Sequence, residues 1–136
     1  FAVRVVAPAV RRLHQAGFVF RDLYWGHLFA ERLSEEASLY WIDLGRVLRP
    51  RWRRRRWIVK DLAGLLASAP HDADGRPMVP RTDLLRFYRA YAAAGGGAEF
   101  SARGLVRDVV AKAARIRAHR PKFGATQAPR LVAPFV

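Results

Sequence analysis

Two short stretches constrain this chain more than any other feature: Phe18-Val-Phe-Arg-Asp-Leu-Tyr-Trp-Gly-His27 and Trp41-Ile-Asp-Leu-Gly45. Each is apolar up to a carboxylate. Asp22 follows Arg21, with a ligand-capable imidazole five residues on at His27, and Asp43 closes an apolar run just before Gly45. Between them, His27 to Arg32 and Ser38 to Ile42 read as two strands around a polar turn at Ser34-Glu-Glu. Such a hairpin returns the chain on itself and brings Asp43 back beside Asp22.

The flanking sequence is helical. Val5, Val6, Ala9, Val10 and Leu13 recur at helical spacing from Ala2 to Gln15, and Gly17 is the expected stop. Pro8 lies inside this segment and predicts a kink or a later start. Phe18 to Phe20 is a short strand or bridge. Ile58 to Ala69 reads as an apolar helix stopped by Pro70, followed by a Pro/Gly/Asp-rich loop over His71 to Pro80. Thr82 is placed to cap a helix through about Ala94, ended by Gly95-Gly-Gly97, and Ser101 to cap a last helix reaching about His119. The expected class is α+β: a mostly helical single lobe over residues 1–120 with one small β-hairpin, and an extended tail over 121–136.

The 136 residues are 51% hydrophobic, enough for one real core and too apolar for a disordered chain. Cysteine is absent, which excludes disulfides and thiolate metal sites. No apolar stretch reaches the length of a membrane span. The chain opens at Phe1 directly into helical sequence and reads as a piece cut from a longer protein. Its net charge of +14, nearly all arginine, attracts polyanions: nucleic acid, anionic lipid or phosphorylated glycan. The densest charge is Arg49, Arg51, Arg53, Arg54, Arg55 and Arg56, interleaved with Trp52 and Trp57. This run either grips phosphates on a substrate or an anionic membrane, or is a solvated face.

The two carboxylate motifs are written in protein kinases as H-R-D-L-x-x-x-N and D-F-G. Here they read Phe20-Arg-Asp-Leu-x-x-x-His27 and Asp43-Leu-Gly45. More specifically, Leu13-His-Gln-Ala-Gly-Phe-Val-Phe-Arg-Asp-Leu-Tyr-Trp-Gly-His-Leu-Phe29, Ile42-Asp-Leu-Gly-Arg46 and Arg55-Arg-Trp-Ile-Val-Lys-Asp-Leu-Ala-Gly-Leu-Leu66 resemble the C-terminal lobe of the bacterial lipopolysaccharide kinase family. Ser68 adds to the match. These are kinase-fold enzymes that phosphorylate inner-core sugars of lipopolysaccharide, a heptose or the keto-octulosonic acid.

The resemblance implies ATP as donor and Mg²⁺, or Mn²⁺, as metal. Its catalytic loop would span residues 18–29, its metal-binding Asp-Leu-Gly 43–45 and its basic segment 49–56. Asp22 would be the base on the sugar hydroxyl, with Arg21 bracing the loop. Asp43 would hold the metal with help from His27, although imidazole suits Mn²⁺ or Zn²⁺ better than Mg²⁺. Asp61 would support the catalytic loop; as an ordinary Asp near a helix N-terminus it would instead serve the macrodipole. His14, His71 and His119 are structural.

Two departures stand out. Phe20 replaces the usual histidine, and the N-terminal lobe with its Gly-rich loop, ATP-pairing lysine and glutamate does not precede the motif. The alternatives are a kinase-fold enzyme acting on a protein or small molecule, a pseudokinase, and a basic nucleic-acid-binding module, for which no motif is present. The implied location is cytoplasmic, peripheral at the inner face of the inner membrane.

Overall fold

The computed structural model describes residues 1–32, 34, 36–74, 78–96, 101–119 and 130–131. The chain begins with a π-helical turn, Ala2–Val6, that runs directly into α1, Ala7–Gln15. Pro8 explains the break. It sits in the first turn of α1, and with no N–H to give to the preceding turn it interrupts the ladder where the π-helical turn meets the α-helix. Gly17 then takes a left-handed φ of 86° and ends the segment, as its position predicts.

The hairpin forms in the expected place. Strand β1 (Leu28–Ala30) pairs antiparallel with β2 (Leu39–Trp41), with Leu28 opposite Trp41 and Ala30 opposite Leu39. A third strand extends the hairpin. Arg130–Leu131, numbered β3, lies parallel to β1 on its other edge, giving the order β2-β1-β3. The other residues of the 121–136 tail lie outside the described residues, as do Glu35 of the polar turn and Gly97. Val19 forms an isolated antiparallel bridge with Leu48, so Phe18 to Phe20 is a bridge rather than a strand.

Helix α2 spans Arg54–Ala67, beginning four residues before the expected Ile58 and ending two before Ala69. Arginine is a good helix former, so the charge run continues the helix although its apolar periodicity is missing. From Asp61 to Ala67 every residue is buried, which marks α2 as the central helix rather than a surface one. Helix α3 (Arg81–Ala93) starts from Pro80, and no side chain caps it, so Thr82 does not play its expected part. Ser101 does cap α4 (Ala102–Ala118), accepting from the Gly104 N–H at 3.4 Å.

Helix α2 packs on α4, and α1 packs on α3. Between them, Val6, Val10, Phe20, Leu23, Leu28, Ile58, Leu62 and Val109 form one continuous core with the loop after α1. Burying side chains of this size contributes about 1.5–3 kcal/mol each. Two of them, Phe20 and Leu23, flank Asp22, so the loop that carries the carboxylate is held by the core itself. The result is a mostly helical α+β lobe with one small sheet.

Candidate active site

The site is assembled on one face of α2. Trp57, Asp61, Gly64 and Ser68 follow a spacing of four, three and four, so they line up along a single stripe. That stripe meets residues 20–25 in order. The Arg21 guanidinium lies 5.2 Å from the centre of the Trp57 ring. Asp61 accepts the backbone N–H groups of Phe20 and Arg21, each at 2.7 Å. Gly64 lets the Leu23 carbonyl approach, and the Ser68 hydroxyl accepts the Trp25 N–H at 3.1 Å. Asp61 is fully buried and sits in the middle of α2, which removes the reading of it as a helix-end residue serving the macrodipole.

Asp61 is itself fixed from behind. His14 Nε2 lies 3.1 Å from its carboxylate, and His14 Nδ1 lies 2.7 Å from the Tyr91 hydroxyl. A carboxylate only accepts, so Nε2 carries the hydrogen, and Nδ1 accepts from Tyr91. The chain Tyr91, His14, Asp61, loop therefore ties α3, α1 and α2 to the two amides before Asp22.

Gly64 is required by geometry. A Cβ there would stand 2.5 Å from the Leu23 carbonyl oxygen, a backbone atom that cannot step aside. Gly64→Ala is expected to cost about 1–3 kcal/mol as overpacking, measured as a lower urea midpoint. An unchanged midpoint would show that loop and helix separate freely.

The backbone of the candidate site is strained at two positions. Arg21 and Asp43 are non-glycine residues with φ of 71° and 58°, and such conformations persist only where surrounding contacts hold them. For Arg21 those contacts are the Asp61 bond and the Trp57 ring. Asp43 is placed by the hairpin: the Ile42 N–H donates to the His27 carbonyl at 3.0 Å, one pairing step beyond β2.

His27 then joins the two carboxylate segments. Its Nδ1 lies 2.7 Å from the Asp22 carbonyl, which can only accept, so Nδ1 carries the hydrogen. In neutral imidazole this leaves the Nε2 lone pair free, 3.9 Å from Asp43 Oδ2. Two ligands of one ion at about 2.1 Å each can be up to about 4.2 Å apart, so the pair is close enough to share one divalent cation after a small adjustment of the exposed Asp43 side chain. Among the described residues no cluster of three or more ligands exists. Magnesium in nucleotide enzymes is held by one or two carboxylates and completed by substrate phosphates, and here Asp43 is the carboxylate of the pair. Phe20 packs against the rings of Trp41 (5.7 Å) and His27 (6.2 Å), bracing the loop against the hairpin where kinases carry histidine.

The Asp22 carboxylate is 15% exposed and faces two cations. Arg46, from the 3₁₀ turn Leu44–Arg46, forms an ion pair with Oδ2, and Lys60 Nζ lies 3.7 Å from Oδ1. Burial pushes the Lys60 pKa down, Asp22 opposes that shift, and Arg46 and Arg21 add to it. In the sequence both cations lie inside the matching stretches, Arg46 just after Asp43-Leu-Gly45 and Lys60 just before Asp61, with no local signal that points either of them at Asp22.

The basic run divides in two. Arg49 stacks over Phe18 at 4.8 Å and donates to the Ala16 carbonyl. Arg54 donates to the His14 carbonyl, and Arg55 pairs with Asp108 of α4 at 2.6 Å. These three bind the run to the lobe. Arg51, Arg53 and Arg56 are exposed, beside a Trp52 that is 82% exposed.

Comparison with known proteins agrees with this architecture. The family model for the lipopolysaccharide kinase (Kdo/WaaP) family matches residues 2–91. No curated protein matches the chain. Among solved structures, "WaaP in complex with acyl carrier protein" is similar at 31% identity and a TM-score of 0.61, over 88% of this chain and 48% of that one. The chain thus spans about half the length of that solved relative. With two thirds of its residues under the family model and the same lobe in space, the chain belongs to the lipopolysaccharide kinase (Kdo/WaaP) family.

Proposed function

We propose that this chain is the C-terminal lobe of an ATP-dependent kinase that phosphorylates a sugar hydroxyl of the lipopolysaccharide inner core. The observation that carries the reading is the joining of Asp22, His27 and Asp43 through one imidazole, on a loop anchored by Asp61. Asp22 takes the proton of the sugar hydroxyl as its oxygen bonds to the γ-phosphorus. The bond from that phosphorus to the β–γ bridging oxygen breaks, and ADP leaves. Mg²⁺, or Mn²⁺, held by Asp43 and His27 would neutralise charge on the ATP phosphates. Arg21 does not touch the reacting atoms in this reading. Stacked on Trp57, it keeps the loop in shape.

The lobe, residues 1–120, would be completed by an N-terminal lobe that closes over the nucleotide, so residues 1–136 alone are expected to be inactive. No helix of the described residues is long and apolar enough to cross a membrane. The exposed Arg51, Arg53 and Arg56 with Trp52 would serve a peripheral contact with the anionic inner face of the inner membrane, where a lipid-anchored core sugar is presented. Acyl carrier protein, the partner in the solved WaaP complex, is a partner to assay for this chain as well.

The test is metal-dependent transfer from ATP by the full-length protein. Asp43→Ala is expected to abolish it at any metal concentration. His27→Ala should raise the metal concentration needed for half-maximal rate. Normal turnover by Asp43→Ala would remove this residue from the mechanism.

A further inference from the structure

Asp22 is unusual for a catalytic base because both of its carboxylate oxygens already face a cation. Two positive side chains against one carboxylate leave the cluster with surplus positive charge, close to where a polyanion must react. We propose that Arg46 and Lys60 are further catalytic residues that contact the transferred phosphoryl group; this rests on the kinase reading given above.

Geometry limits where they can act. A hydroxyl attacking phosphorus lies within hydrogen-bond reach of Asp22 and about 3–3.5 Å from the phosphorus. A cation that touches the same carboxylate is therefore near enough to reach the equatorial phosphoryl oxygens. Charge spreads over those oxygens in the transition state, and fixed cations there stabilise it more than they stabilise bound ATP.

The two mounts differ. Lys60 stands on the central helix one residue before the loop anchor Asp61, with its ammonium 5.9 Å from the Trp57 ring centre and 27% exposed. Arg46 stands on the short turn that begins just after Asp43 and is 52% exposed. Lys60 is the fixed cation. Arg46 is the adjustable one: its planar fork suits a phosphoryl group as well as a carboxylate, and its move from Asp22 to phosphate frees Oδ2 for the hydroxyl. Resting on Asp22 before ATP arrives, Arg46 also keeps the base in place.

The experiment uses the full-length protein, with Arg46→Met, Lys60→Met, Arg46→Lys and Lys60→Arg. Each methionine variant is expected to lower kcat by about 10²–10³-fold, with ATP affinity changed far less. The decisive readout is binding of ADP, Mg²⁺ and aluminium fluoride, a mimic of the phosphoryl group in flight. Both methionine variants should weaken that complex by a factor comparable to their loss in kcat, and the charge-conserving variants should recover part of it. A merely structural role would not separate mimic affinity from ATP affinity.

If both methionine variants keep kcat and mimic affinity within about threefold of wild type, the proposal is overturned. Arg46 is half exposed, so its variants settle the question even where Lys60→Met fails to fold. Asp22→Asn is measured alongside. If it is fully active, the base assignment fails. If it is inactive while the methionine variants are normal, only the present proposal fails.

Discussion

Asp22→Ala in the full-length protein is expected to lose about 10²–10⁴-fold in the rate of phosphoryl transfer, the usual contribution of a positioned general base. ATP binding should change far less than the rate, because the Asp22 carboxylate itself does not touch the nucleotide in the proposed arrangement, although it pairs with Arg46 and Lys60. The fold should survive too. The loop is held by Asp61 through the backbone of Phe20 and Arg21, and by the buried side chains of Phe20 and Leu23, none of which involves the Asp22 carboxylate. A second consequence is specific to this site. Asp22 opposes the downward pull that burial exerts on the Lys60 pKa, so its removal should push that pKa lower still. Titration of the Lys60 ammonium by NMR would check the direction. Single-turnover rates close to wild type would remove Asp22 from the chemistry.

Asp61→Ala should instead act through stability. The wild-type carboxylate is fully buried and accepts from two loop amides at 2.7 Å and from His14 at 3.1 Å. Truncation leaves two buried donors and one half-buried donor without a partner and opens a void in the central helix. Breaking a buried charged network in this way costs about 3–5 kcal/mol. A domain has only about 5–15 kcal/mol in total, so a large fraction is lost. The strained φ of 71° at Arg21 also loses one of its restraints. Urea unfolding of the chain should show a sharply lower midpoint. A loss below about 1 kcal/mol would mean that the loop holds its shape without Asp61.

The hairpin could be read because alternation and a polar turn have local causes, and so could the stops at Gly17 and after α3. The two carboxylates were legible because their spacing from arginine, histidine and glycine is short-range. Helix α2 was misjudged at its start because its first turn is arginine, which propagates a helix without leaving an apolar period. β3 could not be found, since a two-residue strand pairs with β1 from about a hundred positions away and has no periodicity of its own. Asp61 was assigned to the loop by resemblance, but its spacing with Trp57, Gly64 and Ser68 is a physical signal in the sequence: one helical face, alternately ringed, charged, bare and hydroxylated. Such a face is made for a backbone rather than for a hydrophobic partner. Arg46 was the least visible, because its ion pair with Asp22 exists only after the hairpin has closed.

The central claim is that the reacting hydroxyl belongs to a lipopolysaccharide core sugar. The most direct measurement incubates the full-length protein with γ-labelled ATP, Mg²⁺ and dephosphorylated lipopolysaccharide core, and follows the label. The account predicts label on a core sugar, dependent on metal. Label that goes to protein side chains or to water, with none on the glycan, would contradict it.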